Sequence, residues 1–176
     1  TAAEAARRIR ATPMVHVTSK LQRQELVKAN RFLDGKDYED AFMSSAILEQ
    51  INKVACLAEP LYHFRINPQS VTHRKIILKN LDEIDANYGL LACALKYGKK
   101  DTAFLQYVLM KRMLRNTKKN LPPKQRNSER VQQAEACLKK AGREVRQQGA
   151  CTLRNAAETA LCIANPQFYF NFKYRK

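Results

Sequence analysis

The chain has 176 residues, of which 45% are apolar, and it contains five Gly, six Pro and no Trp. This content is enough to bury a core and excludes collagen-like, low-complexity and disordered classes. There are 32 Lys and Arg residues against 16 acidic ones, a net charge of +16. Such a field attracts phosphate-bearing partners, whether nucleic acid, anionic lipid or a phosphorylated small molecule.

The positive charge is concentrated in the C-terminal part. Residues 1–100 hold 16 basic and 11 acidic residues, a net of +5, whereas residues 101–176 hold 16 basic and 5 acidic residues, a net of +11. No apolar run approaches the roughly 20 residues that span a bilayer. The first ten residues also lack the apolar core of a signal peptide.

The five cysteines are widely spaced, without a CxxC pair or a nearby histidine that would favour zinc. This pattern predicts reduced core cysteines in a cytosolic protein. The five are Cys56, Cys93, Cys137, Cys151 and Cys162.

The first 75 residues predict a mixture of helix and strand. "MVHV" (residues 14–17) predicts a buried strand, and residues 20–29 predict a short helix with one apolar side. A turn is predicted at "LDGK" (residues 33–36), and a helix over residues 38–52. "KVACLAEPLYHFRI" (residues 53–66) predicts two short strands around a bend at its proline.

The pattern after residue 75 is helical throughout. Apolar residues recur at steps of three and four from Ile77 to Leu95, which predicts an amphipathic helix. Similar patterns predict helices near residues 101–113, 131–145 and 153–161, the last ending before Pro166. The expected fold class is therefore α+β, mostly α, with a boundary near residue 75 and a helical bundle after it.

Two adjacent acids, Glu39 and Asp40, stand at the start of the helix predicted from Tyr38. In a first turn, carboxylates complement the unpaired N–H groups and the positive end of the helix dipole, by about 0.3–1 kcal/mol each. Capping is the commonest explanation for acids in this position. Taken by themselves, the two acids predict only where the helix begins.

Three stretches of the first 75 residues resemble the C-terminal half of the catalytic domain of family 2 glycosyltransferases. They are "SKLQRQEL" (19–26), "RFLDGKDYEDAF" (31–42) and "EPLYHFRINPQSVTH" (59–73), in the order that the family has them. The resemblance extends from about Val15 to Lys75. It implies a fragment of a GT-A α/β domain over residues 1–75 and a basic helical domain over residues 76–176.

The same resemblance implies an inverting sugar transfer in the synthesis of cell-surface polysaccharide. The donor would be a nucleotide sugar and the acceptor a saccharide or a lipid-linked sugar. Asp40 corresponds to the base that takes the proton from the acceptor hydroxyl, and Glu39 would orient the acceptor or Asp40 itself. Position would contribute more than basicity to such a base.

The resemblance also implies a loop that closes over the donor diphosphate, whose charge must be neutralised. His73 in this loop could complete the coordination of a divalent metal. The alternative is a solvated basic segment that leaves a strand. The diphosphate-binding residues implied in this way are Arg65, Ser70, His73 and Arg74.

One part of the family pattern is missing from the sequence. The family binds Mg²⁺ or Mn²⁺ with an Asp-x-Asp motif at the end of a strand-rich N-terminal half, and no such motif precedes Ser19. "DEID" (residues 82–85) lies in an amphipathic helix and does not replace it. Because the chain also begins with Thr, we expect the N-terminal half to be missing and the fragment to be inactive alone.

The C-terminal region is basic and ends in aromatic residues. No acid occurs from Thr102 to Ser128, and the tail "FYFNFKYRK" (168–176) alternates rings with cations. This composition favours a cytoplasmic protein in peripheral contact with the anionic inner face of the cell membrane. The alternatives are single-stranded RNA binding, which we favour less, and rings packed on the bundle. The rival to an enzyme is a non-catalytic basic helical module that binds nucleic acid or a protein partner.

Overall fold

A computed structural model describes residues 16–57, 59, 61–63, 65, 77–151 and 153–173. Within these ranges the chain forms seven α-helices: α1 (Gln24–Ala29), α2 (Glu39–Gln50), α3 (Asp82–Lys96), α4 (Lys100–Asn120), α5 (Glu129–Gln147), α6 (Leu153–Ala164) and α7 (Pro166–Lys173). Single 3₁₀ turns occupy Val17–Ser19, Leu78–Leu81 and Pro123–Gln125. None of the helices in the described ranges is long and apolar enough to cross a bilayer.

The helices from α3 onward pack through the apolar sides that their periodicity predicts. Helix α5 is an example, because its buried residues recur at steps of three and four: Val131, Ala134, Leu138, Ala141 and Val145. Burying one large aliphatic side chain contributes about 1.5–3 kcal/mol. Helices α3, α4, α5 and α6 each pack against the next helix in the sequence, and α3 also contacts α5. The four helices predicted after residue 75 are therefore confirmed.

Helix ends follow from glycine and proline. Gly98 has φ +65°, and the N–H groups of Gly98 and Lys99 donate to the carbonyls of Leu95 and Ala94 at 2.9 and 2.8 Å, a Schellman motif that ends α3. Helix α6 ends before Pro166, which then opens α7. Proline suits the first helical position because the N–H it lacks would have no intrahelical partner there.

Helix α2 lies against α3 and shares a small core with it. Ala41 and Leu48 of α2 pack with Leu90 and Cys93 of α3. The two backbones approach closely at Gly89, where a Cβ atom would lie 2.8 Å from the Oγ of Ser45. Segments on both sides of residue 75 therefore pack together, while the domain boundary near that residue stays a prediction.

Helix α7 is attached to the bundle by a buried polar contact. The ammonium of Lys111 lies over the rings of Tyr107 and Tyr169, at 5.1 and 5.2 Å from their centroids. The Tyr169 hydroxyl donates to Glu158 Oε1 at 2.7 Å. Tyr169 and Phe170 are buried while Phe168 is half exposed, so two rings of the aromatic tail pack on the bundle.

The predicted α+β fold is wrong. No strand or sheet occurs among the residues that the structure describes. Residues 53–57 and 61–63 are irregular, and Val17 lies in a 3₁₀ turn; the rest of each predicted strand lies partly or wholly outside the described residues. A strand forms only when its N–H and C=O groups pair with a neighbouring strand. Because these apolar segments find no such neighbour, a GT-A α/β fragment is not the fold.

The cysteines differ in accessibility, and this predicts their order of alkylation. Burial raises the pKa of Cys93 and of Cys137 to about 11, whereas Cys56 is exposed. At about pH 8, roughly one in a thousand thiols with a pKa of 11 is a thiolate. We expect iodoacetamide to label Cys56 first by peptide mass spectrometry. Labelling of Cys137 should accelerate as the pH rises towards 11, and a fast phase that survives Cys56→Ser would contradict the assignment.

Gly142→Ala should destabilise the fold, although Gly→Ala within a helix is normally stabilising by up to about 1 kcal/mol. A Cβ at position 142 would lie 2.7 Å from Ile163 Cγ1 and 3.0 Å from the Tyr107 hydroxyl. We expect a loss of about 1–3 kcal/mol from overpacking, measured by urea unfolding. The loss caused by Gly142→Ala should be smaller in a protein that also carries Ile163→Ala. If Gly142→Ala alone raised the stability, the close packing of Gly142 against Ile163 would be refuted.

Candidate functional site

The start of α2 is set by a strained residue. Tyr38 precedes the helix with φ +61°, a left-handed conformation that is uncommon for a bulky side chain. Its half-buried hydroxyl accepts a hydrogen bond from Asn80 Nδ2 at 3.4 Å. Burial raises the pKa of Tyr38, so the phenol stays neutral. The strained residue therefore lies directly before Glu39 and Asp40.

Asp40 lies in the first turn of α2 and is paired with His16. The His16 Nδ1 and Asp40 Oδ2 atoms are 3.0 Å apart, and the two side chains are 48% and 22% exposed. An ionised carboxylate only accepts hydrogen bonds, so the proton is on Nδ1 of the imidazole. The second carboxylate oxygen of Asp40 bonds to no described residue and remains free to accept a proton.

Lys20 belongs to the same group. Its Nζ donates to the His16 carbonyl at 2.7 Å, and the Ser19 hydroxyl donates to the same oxygen at 2.9 Å. Burial lowers the pKa of Lys20, and the Asp40 carboxylate opposes this shift. We call His16, Lys20 and Asp40 the Asp40 cluster; it brings a segment before α1 to the start of α2.

The loop before α2 is anchored through a buried carboxylate. Asp82, whose side chain is 6% exposed, accepts from Lys36 Nζ at 3.0 Å and from Arg130 Nη2 at 3.1 Å. The backbone N–H of Asp37 donates to its other oxygen at 3.2 Å. This Asp82 network ties together the start of α3, the loop before α2 and the first turn of α5.

The remaining acids of "DEID" serve the same junction. Asp85 accepts from the same Arg130 nitrogen at 2.8 Å. Glu83 lies beside Tyr38 and Asn87, and burial raises its pKa. "DEID", which has the pattern of the polar side of a helix, thus also anchors the loop that leads into α2.

The other predicted site residues do not join the Asp40 cluster. Glu39 is exposed and makes no hydrogen bond or ion pair with the described part of the chain. Arg65 is likewise exposed, irregular and without such a partner among residues 16–57, 77–151 and 153–173. The remaining predicted diphosphate ligands, Ser70, His73 and Arg74, lie outside the described residues.

The described residues do not fit a divalent metal. No group of three or more His, Cys, Asp and Glu side chains converges anywhere in the described ranges. One oxygen of Asp40 is already paired with an imidazole. His73, the predicted metal ligand, lies outside these ranges.

Sequence reasoning missed the roles of His16 and Arg130. His16 and Asp40 are 24 residues apart, and Arg130 and Asp82 are 48 apart. No periodic pattern connects residues at such separations. The sequence offered one signal for this cluster. "SKL" and "YED" belong to two stretches of the same family resemblance, and residues in or next to these stretches meet around Asp40.

Comparisons with known proteins were made by family, by sequence and by structure. No family model, no curated protein and no solved structure matches the chain. The Asp40 cluster is therefore interpreted from its own chemistry and from the three stretches described above.

Asp82→Asn should destabilise the protein by about 2–4 kcal/mol, because it removes the anion that neutralises two partly buried cations. Asp85→Asn is the matched control: its side chain is 31% exposed, so it should cost within about 1 kcal/mol. Chemical unfolding followed by circular dichroism measures both. Equal costs for the two variants would show that Asp82 does not dominate this network.

Proposed function

We propose that the chain is part of an inverting glycosyltransferase, in which Asp40 is the general base that deprotonates the acceptor. The donor is a nucleotide sugar, and the acceptor is a saccharide or a lipid-linked sugar. The proposal places this chemistry at the cytoplasmic side of the cell membrane, where surface polysaccharides are assembled. It does not depend on the α/β fold expected from the sequence.

The meeting of two motif regions at Asp40 is the observation that carries the proposal. A capping acid needs only the N–H groups of its own helix, whereas Asp40 is paired with His16, 24 residues away. Lys20 belongs to "SKL", His16 lies three residues before that motif, and Asp40 belongs to "YED". Two stretches that resemble the same enzyme family therefore form one cluster.

The geometry suits a base that acts by position. His16 holds one carboxylate oxygen of Asp40, whose side chain is partly exposed; in this proposal the acceptor hydroxyl approaches the other oxygen. The acceptor oxygen attacks the anomeric carbon, its proton passes to Asp40, and the bond from that carbon to the nucleoside diphosphate breaks. Holding the hydroxyl in line with the leaving group supplies most of the advantage of such a base.

Lys20 and Arg65 supply the positive charge that a diphosphate leaving group requires. Lys20 is half-buried beside Asp40, and Arg65 is exposed and unpaired within the described residues. In this proposal Arg65, with Ser70, His73 and Arg74, approaches the diphosphate only when the donor is bound.

Asp40→Asn should reduce kcat for sugar transfer by about 10²–10⁴-fold, since the amide cannot take a proton. The assay measures nucleoside diphosphate release from UDP-, GDP- and dTDP-sugars by the full-length gene product. The affinity for donor, titrated by calorimetry, should stay within about twofold of wild type, because Asp40 contacts the acceptor side.

Asp34→Asn is the matched control for Asp40→Asn. It removes the same charge from an exposed residue six positions earlier that has no partner in the described part of the chain, and it should leave kcat unchanged. Asp40→Asn with kcat near that of wild type would refute the assignment. His16→Gln should lower kcat less than Asp40→Asn does, because it loosens the carboxylate without removing it.

A further inference from the structure

The C-terminal half of α5 presents cations that have no acidic partner. Lys139, Arg143 and Arg146 recur at steps of four and three, and so occupy one side of the helix. Both arginines are exposed and Lys139 is half-buried. None of the three forms an ion pair with a residue in the described ranges. We call them the α5 basic face.

The N-terminal half of the same helix differs, because its cation and one of its two acids are paired. Arg130 is neutralised by Asp82 and Asp85, and Glu135 accepts from Lys118 at 2.6 Å. Glu144, further along α5, accepts from the Tyr88 hydroxyl at 2.7 Å. Uncompensated positive charge is therefore specific to the C-terminal half of this helix.

A hollow of about 420 Å³ adjoins the basic face where α5 crosses α6, lined by Arg143, Arg146, Gln147 and Ile163. Ile163 is pressed against α5 at Gly142, where a Cβ would lie 2.7 Å from its Cγ1. The close approach fixes an aliphatic surface beside two guanidinium groups and an amide. None of the described residues that line the hollow carries a carboxylate.

This combination fits a phosphate group attached to an apolar molecule. A guanidinium offers two parallel N–H donors that match phosphate oxygens. Single-stranded RNA would be expected to stack its bases on aromatic rings, and none of the described residues that line the hollow is aromatic. The excess of 16 basic over 5 acidic residues in positions 101–176 adds attraction towards an anionic surface.

We propose that the α5 basic face and the adjoining hollow bind the phosphate of an anionic phospholipid and hold the protein on a membrane surface. Arg143 and Arg146 bind the headgroup phosphate, while Ile163 contacts the apolar part of the lipid. This inference is independent of Asp40, and its test requires no nucleotide sugar. Failure of one proposal leaves the other unaffected.

Co-sedimentation of the full chain with vesicles tests the inference. Phosphatidylcholine vesicles, alone or mixed with phosphatidylglycerol, are titrated with wild type and with the double variant Arg143→Gln/Arg146→Gln. Each basic residue at an anionic surface contributes about 1 kcal/mol, so the double variant should bind mixed vesicles about 30-fold more weakly. Both sites are exposed, and an unchanged Tm verifies that the variant folds.

Lys119→Gln/Lys124→Gln is the matched control. These exposed lysines lie near the other end of α5, and their replacement removes the same total charge. The control should weaken vesicle binding by less than about threefold. Equal losses in the two double variants would overturn the proposal, because binding would then depend on net charge alone.

Two further measurements complete the test. Binding to phosphatidylcholine alone should be at least about tenfold weaker than binding to mixed vesicles, since a neutral surface lacks the electrostatic attraction; equal binding would overturn the proposal. Labelled single-stranded RNA is titrated with the same variants. A loss of RNA affinity with Arg143→Gln/Arg146→Gln as large as the loss for vesicles would also overturn it, and would assign the α5 basic face to nucleic acid.

Discussion

Asp82 has a carboxylate side chain that is 6% exposed at the first position of α3, and the arrangement of three helices depends on how its charge is neutralised. An ion taken out of water costs several kcal/mol unless it is paired and hydrogen-bonded. The donors come from Lys36 and the Asp37 N–H before α2, and from Arg130 in α5. Because the Asp82 network is satisfied only when these segments meet, it sets where α2 begins and hence where Asp40 lies.

Apolar packing supplies most of the stability, but the close approaches at two glycines define the relative positions of the helices more narrowly. Any helix with an apolar side can bury it against another. Gly89 lies close to Ser45 and Gly142 close to Ile163, at distances that a Cβ atom would not allow. These two contacts fix the separation of α3 from α2 and of α5 from α6. Ile163, which makes the second of these contacts, also lines the hollow beside the α5 basic face.

The site that results joins local and distant contributions. Glu39 and Asp40 were predictable at a helix start from the sequence, because carboxylates complement a helix N-terminus. Their chemical difference was not predictable, since it comes from His16, which pairs with Asp40 and leaves Glu39 in solvent. Capping and catalysis are compatible for Asp40. The helix dipole that favours the anion of Asp40 is consistent with the proposed role as a base.

The prediction of strands in the first 75 residues was wrong for a physical reason that does not apply to the helices. A helix satisfies its backbone hydrogen bonds within its own segment, so periodicity alone predicted α3, α4, α5 and α6. A strand requires a partner that may be distant in sequence, and the segments 53–57 and 61–63 have none in the described structure. A local alternation of apolar and polar residues contains no information about whether a partner strand is present.

By itself the sequence determined the helical segments of the C-terminal part, the excess of positive charge there, and the position of two acids at the start of α2. Tertiary structure decided which charges remain unpaired. It turned "DEID" into a clamp for Lys36 and Arg130 and brought His16 to Asp40. It left Arg143 and Arg146 without an acidic partner in the described part of the chain. The reason is that helix formation depends on neighbours three and four residues away, whereas charge pairing depends on segments that meet only after the chain has folded.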